Sequence, residues 1–167
     1  MKRIRSGRFI RLVLPSTILL FVLALHLLAQ ADPFLGTWTL DRAKSTFSGV
    51  IPNKRTMTFE RLPDGSFRHV VDSAGPGGGI VTNEVIHQQY TFKIDGKEYP
   101  ADPQMQASTV SFKRIDSNTL ERTGKYRGEV VETVTYTVSR DGKTMTATQM
   151  GTANGAEVSS VQVFTRQ

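Results

Sequence analysis

From residue 32 onward the chain is cut at a regular beat by short turn signals. Pro63-Asp64-Gly65, Asp95-Gly96-Lys97, Asp141-Gly142-Lys143 and Asn154-Gly155 each join a residue tolerant of positive φ to a glycine, with Ser117-Asn118 a weaker fifth. Two-residue hairpins demand that chemistry. Between the signals lie alternating runs: Gly36 to Asp41, Arg55 to Leu62, Ser66 to Ser73, Val81 to Ile94, Thr109 to Ile115, Thr119 to Tyr126, Glu129 to Ser139, Thr144 to Met150 and Val158 to Arg166. Alternation of apolar and polar residues is the period of a half-buried strand. Only Arg42 to Phe47 has a helical period, and for no more than about one turn. The residue types agree, since this part of the chain has 13 valines and 18 threonines but four leucines. β-branched side chains suit a pleated surface better than a helix. The spacing predicts nine or ten antiparallel strands in one all-β domain, residues 32–167. A meander of that size closes into a single up-and-down β-barrel of about 8–10 strands, because closure removes edges that would pair with other chains.

Residues 1–31 have the opposite character. Lys2, Arg3, Arg5, Arg8 and Arg11 precede an apolar run from Leu12 to Leu28, and Ala29-Gln30-Ala31 follows as a small-x-small triplet. This pattern predicts a signal peptide of the general secretory type, cleaved after Ala31 and leaving a periplasmic or secreted domain. Pro15, Ser16, Thr17 and His26 interrupt the run, so no stable membrane anchor is expected after cleavage. The leader also accounts for the charge. The whole chain carries 21 Lys+Arg against 15 Asp+Glu, but the five leader cations have no acidic counterpart and the remainder is near neutral. Nucleic acid is therefore not an expected partner, because polyanion binding needs clustered excess cations. With no cysteine anywhere, stability rests on the packed core rather than on disulfides.

Phe34-Leu35-Gly36-Thr37-Trp38, Thr109 to Asp116 and Val163-Phe164-Thr165-Arg166 resemble the calycin superfamily, the lipocalins and fatty-acid-binding proteins, and within it small secreted bacterial lipocalin-like domains. The resemblance implies that Trp38 plugs the closed end of the barrel and that Arg166 lies over it in a cation–π contact. Two departures stand out. Arg42 to Asn53 is too short for the two-helix lid of fatty-acid-binding proteins, and Gly49 and Pro52 break it. The family's carboxylate-binding Arg-x-Tyr falls on Gln162 and Phe164, and its second cavity arginine falls on Thr137. Without those cations, capture of a carboxylate in the family's manner is not expected, because a buried carboxylate needs charge-assisted partners.

Few residues offer other chemistry. If the strands flanking Pro76 to Gly79 pair about Gly78, His69 and His87 face one another and become weak candidates for a metal or haem site. The same pairing sets Asp72 against Glu84, a like-charge pair that argues against it. Pro76 to Gly79 itself reads as a hairpin loop, since a phosphate loop would continue into a lysine and a helix rather than Ile80-Val81-Thr82. No nucleophile elbow is present, and acids such as Glu129 and Glu132 read as solvated faces beside a turn. No enzyme, cofactor or bound metal is expected. Tyr90, Phe112, Tyr136, Gln162 and Phe164 are the candidate ligand-binding residues, on alternating strands whose inner faces would form a cavity. The resulting expectation is a non-enzymatic extracytoplasmic binding protein for a small, mainly apolar, uncharged molecule. The competing expectation is a filled barrel serving as an envelope structural or interaction module.

Overall fold

A computed structural model describes residues 32–48, 52–75, 85–153 and 155–167. The expected signal peptide, the glycine-rich loop at Pro76–Gly79 and the beginning of the 81–94 run lie outside the described residues.

The turn chemistry and the alternating runs produce ten strands among the described residues. They are β1 (Gly36–Phe47), β2 (Lys54–Arg61), β3 (Phe67–Ala74), β4 (Val85–Phe92), β5 (Glu98–Pro100), β6 (Thr109–Asp116), β7 (Thr119–Tyr126), β8 (Glu129–Val138), β9 (Thr144–Ala153) and β10 (Ala156–Arg166). Every strand pairs antiparallel with its sequence neighbour except β4 with β5, and β1 also pairs with β10, giving the order β4-β3-β2-β1-β10-β9-β8-β7-β6-β5. The barrel is thus nearly closed, with one seam between β4 and β5. Side chains bridge the seam. The Gln89 backbone N–H donates to Asp102 Oδ2 at 2.8 Å and Gln104 Nε2 donates to the His87 carbonyl at 2.8 Å. Inside, the Phe92 and Phe112 rings stack at 3.7 Å.

Two elements differ from the sequence expectation. Arg42 to Phe47 is strand rather than a helical turn, because pairing with β10 continues past a register shift between Asp41 and Thr46. Such a bulge absorbs the break in alternation that suggests helical period. Glu98 to Pro100, outside every alternating run, forms the three-residue β5, an edge strand, where a proline's missing N–H leaves no ladder bond unmade.

The core fills the end of the barrel where β1 begins and β10 finishes. Phe34, Trp38, Phe59, Phe92, Phe112, Leu120, Val138, Met145 and Phe164 are all buried there. Trp38 Nε1 donates to the Phe34 carbonyl at 2.9 Å, and the Arg166 guanidinium lies 4.2 Å from the Trp38 ring. That guanidinium also donates to the carbonyls of Leu35 (2.5 Å), Pro33 (2.6 Å) and Gly142 (2.7 Å), so one side chain ties together the start of the domain, its last strand and the β8–β9 turn. Asp32 joins the same end through ion pairs with Arg114 and Arg61. The threonine runs Thr133-Thr135-Thr137 and Thr144-Thr146-Thr148 lie on the outer face, because Val134, Tyr136, Val138, Met145 and Ala147 between them are the buried set.

Candidate ligand cavity

Period-two alternation carries polar side chains into the other half of the interior. On β2 the buried Met57 and Phe59 share a face with Arg55; on β7 Leu120 shares one with Arg122; on β8 Val134 and Tyr136 share one with Glu132. Arg55, Met57, Arg122, Glu132, Val134 and Tyr136, with His69, Gln149 and Gln162, surround a cavity of about 250 Å³. Met57, Val71, Val134 and Ala147 supply its apolar wall, and Gln88, Gln104, Met105 and Gln106 line the side next to the seam.

The polar groups form two linked sets. In the first, Arg122 pairs with Glu132 (Nη2 to Oε1, 2.8 Å) and donates from Nη1 to the Tyr90 hydroxyl at 3.0 Å. Tyr90 Oη lies 2.7 Å from His69 Nδ1. Because His69 Nδ1 is the one acceptor beside the Tyr90 hydroxyl among the described residues, the phenolic proton is assigned to it and the imidazole's own hydrogen to Nε2. Neither His69 Nε2 nor Arg122 Nε has a protein partner among the described residues. In the second set, Arg55 donates from Nε to Ser73 Oγ at 2.9 Å and from Nη1 to Gln162 Oε1 at 2.7 Å. Gln162 in turn donates to Ser160 Oγ at 3.0 Å, and Gln149 donates to Glu132 Oε2 at 3.1 Å.

Burial decides the protonation states. It pushes the His69 pKa well below the ordinary histidine value, with repulsion from Arg122 adding to it, so the imidazole is neutral. Burial likewise raises both Tyr90 and Tyr136, which stay as phenols. For Arg122 burial opposes the charge, but the Glu132 carboxylate and the hydrogen bond to the Tyr90 hydroxyl hold the guanidinium protonated. Burial and Arg122 lower the Arg55 pKa, although an arginine remains charged at neutral pH. The interior thus contains two cations and one anion among the described residues.

A pH prediction follows from His69. Its proton-free state in the fold means that the unfolded chain binds one more proton once pH falls below the ordinary histidine value of 6.5. Stability contributed by this group is therefore complete above that value and lost below it, at up to about 1.4 kcal/mol per pH unit. The His69→Phe variant is expected to lose less stability than the wild-type protein between pH 6.5 and 5. Equal slopes in urea titrations across that range would contradict the assignment.

The structure separates the sequence candidates. Tyr136 and Gln162 line the cavity, whereas Tyr90, Phe112 and Phe164 are buried without lining it. Tyr90 acts through its hydroxyl on His69 and Arg122, while Phe112 and Phe164 belong to the packed end. The expected opposition of His69 and His87 is incorrect. The observed register pairs His69 with Tyr90 and Asp72 with His87, three residues away from the pairing about Gly78. An odd offset turns His87 to the other face, where its ring meets Asp72 at 2.7 Å on the surface. Burial of Phe67 against Phe92, rings 5.6 Å apart, fits this register.

Two further corrections concern charge. Glu132 is not a solvated acid but faces the interior, paired with Arg122. Gly124 on β7 and Gly151 on β9 stand directly opposite it. A Cβ at Gly124 would meet Glu132 Cγ at 2.7 Å, and one at Gly151 would meet the Val131 carbonyl oxygen at 2.4 Å. The family's cation positions, Gln162 and Thr137, hold none, but two cations that the sequence reading did not place inside, Arg55 and Arg122, line the cavity from β2 and β7. The phase of each arginine with its apolar neighbours, Arg55-x-Met57-x-Phe59 and Leu120-x-Arg122, is the signal that would have found them. Strand-interior Gly124 and Gly151 mark the close approach.

A near-closed, ten-stranded antiparallel barrel with a plugged end and a polar cavity among the described residues is a calycin-like fold. Solved structures confirm that fold. A mutant of the fluorescent protein UnaG superposes with a TM-score of 0.54 at 16% identity, covering 81% of this chain and 96% of that one. A Schistosoma mansoni fatty acid binding protein in complex with arachidonic acid gives 0.52 at 17% identity, over 83% and 99%. As-p18, an extracellular fatty acid binding protein, gives 0.50 at 20% identity, over 81% and 97%. No protein-family model matches the chain, and a sequence search of curated proteins finds no significant match.

Proposed function

We propose that this protein is a binding module rather than an enzyme, and that its cavity takes one small molecule bearing an acidic group, held by Arg55. The observation that carries this is the interior charge. Arg122 has Glu132, but Arg55 has only the neutral Ser73 and Gln162 among the described residues. A partly buried cation without a counter-ion favours an anionic ligand, whose charge-assisted hydrogen bonds offset the desolvation of both. Met57 and Val71, paired across β2 and β3 beyond Arg55, would receive the ligand's apolar body. Two solved structures of similar fold are described as fatty acid binding proteins, which is consistent with this chemistry. A catalytic role lacks support, since the buried His69 is held by a phenol rather than by a carboxylate. The basic, apolar and Ala-x-Ala pattern of residues 1–31 supports a site of action outside the cytoplasm.

Calorimetric titration with octanoate and with octanol tests the reading. The acid should bind more tightly than the alcohol, and Arg55→Gln should weaken the acid by roughly tenfold or more while leaving the alcohol unchanged, the size expected for a charged hydrogen bond. Equal affinities of acid and alcohol for the wild-type protein would sink it.

A further inference from the structure

Arg55 and Arg122 line the same cavity, one from β2 and the other from β7, and they differ in what holds them. Arg122 has the Glu132 carboxylate at 2.8 Å, whereas the closest partner of Arg55 is the Gln162 amide oxygen at 2.7 Å. Gln162 is buried, and its orientation is set from both sides. A guanidinium only donates, so the amide turns Oε1 to Arg55 and Nε2 away from it, where Ser160 Oγ accepts at 3.0 Å. Further along, the Glu132 carboxylate accepts from Gln149 Nε2 at 3.1 Å, which turns Gln149 Oε1 back toward Gln162 Nε2 and Ser160 Oγ, 3.5 Å from each. Every link donates in the same direction, from Arg55 toward Glu132. Flipping Gln162 would set a donor against the guanidinium, and flipping Gln149 would set an oxygen against the carboxylate.

From this we infer that Gln162 is the specificity-determining residue of the cavity: it positions the Arg55 guanidinium with an acceptor that carries no charge, and so leaves that cation for the acidic group of a ligand. The inference rests on the acid-binding reading and names the residue behind the preference. Glutamine and glutamate have nearly the same size and shape, so one amide in place of a carboxylate separates a cation available to a ligand from one already matched, as Arg122 is. Gln162→Glu would give Arg55 the kind of partner that Arg122 has, and a ligand carboxylate would then meet like charge in the wall. Ser73, the other partner of Arg55, is also neutral, at 2.9 Å from Nε. Arg55 Nη2 has no protein partner among the described residues, which leaves donors of the fork for a further acceptor. Gln162 therefore acts through Arg55, by holding it in place without cancelling its charge.

The test is calorimetric titration of octanoate and octanol into the wild-type protein and two variants. The quantity read is the ratio of the two affinities, because a merely structural loss would weaken both ligands and leave the ratio in place. Gln162→Glu should lower the preference for the acid by about tenfold or more, the size expected for a charged hydrogen bond. Gln162→Met removes the acceptor but adds no charge, and should lower the preference by no more than about threefold, since Arg55 stays unmatched. A wild-type ratio near one would overturn the acid reading and this inference with it. A wild-type preference that persists in Gln162→Glu would overturn the role of Gln162 and leave the acid reading standing, and so would equal losses in the two variants. Should circular dichroism show Gln162→Glu to be unfolded, Ser73→Asp brings a carboxylate to the Nε side of Arg55. Loss of the preference in that variant would support the inference, and its persistence would overturn it.

Discussion

Glu132→Ala is expected to destabilise the barrel by about 3–5 kcal/mol, the range for removing one partner of a buried ion pair. The side chains of Arg122 and Glu132 are only 9% and 15% exposed, so solvent cannot replace the lost carboxylate. The interior would then contain two guanidinium groups and no anion among the described residues. Gln149 Nε2 would also lose its acceptor. Replacing both partners, as Arg122→Met with Glu132→Leu, should recover most of the loss, because a well-packed apolar pair avoids the desolvation that the ion pair must overcome. Urea unfolding followed by the fluorescence of Trp38, the single tryptophan, measures both variants. A change under about 1 kcal/mol in Glu132→Ala would mean that the pair behaves as a solvent-exposed one. The ligand should partly compensate. If the bound molecule is acidic, its presence should stabilise Glu132→Ala more than the wild-type protein, since it supplies the missing negative charge.

Trp38→Ala should cost about 3–5 kcal/mol by a different route. The ring is fully buried at the plugged end, and truncation leaves a cavity among residues already fixed by Phe59, Met145 and Phe164. It also leaves the buried Phe34 carbonyl without the Trp38 Nε1 donor. By contrast Arg166→Ala should cost only about 0.5–1 kcal/mol of cation–π attraction plus its carbonyl hydrogen bonds, because Arg166 is exposed. Circular dichroism in urea is the measurement, since the fluorophore itself is removed. Similar losses in the two variants would show that the arginine clamp, rather than burial of the indole, secures this end.

Much of the architecture was legible from local chemistry. The Asp-Gly turns at Asp95-Gly96 and Asp141-Gly142 bring glycines into positive φ, at 75° and 69°, and the strands between the turn signals follow from alternation alone. Where alternation was broken, as at Asp41 to Thr46, or a proline intervened, as at Pro100, the strand was not legible, because ladder pairing with a distant neighbour determined the conformation. The cavity was legible only in part. Tyr136 and Gln162 could be named because aromatic and amide residues on alternating strands suggest an inner face. His69 could be named as a chemical group but not located, since its neighbour across β3 and β4 depends on a register that one residue of slip would invert.

The charges show most clearly where local information ends. Period two states that Arg55 shares a face with Met57 and Phe59, and that Arg122 shares one with Leu120. It does not state that the face is the inner one, nor that Glu132, ten residues and one strand from Arg122, points at the same place. Strand number, turn positions and the all-β character follow from short-range preferences, which act within a few residues and are written in the chain. Which residues meet inside the barrel depends on closure between β1 and β10, on the bulge at Asp41/Thr46 and on the glycines opposite Glu132. Those are contacts between residues far apart in sequence, chosen by the packing of the whole barrel, and only the tertiary structure brings two arginines, one carboxylate and a neutral histidine around a single cavity.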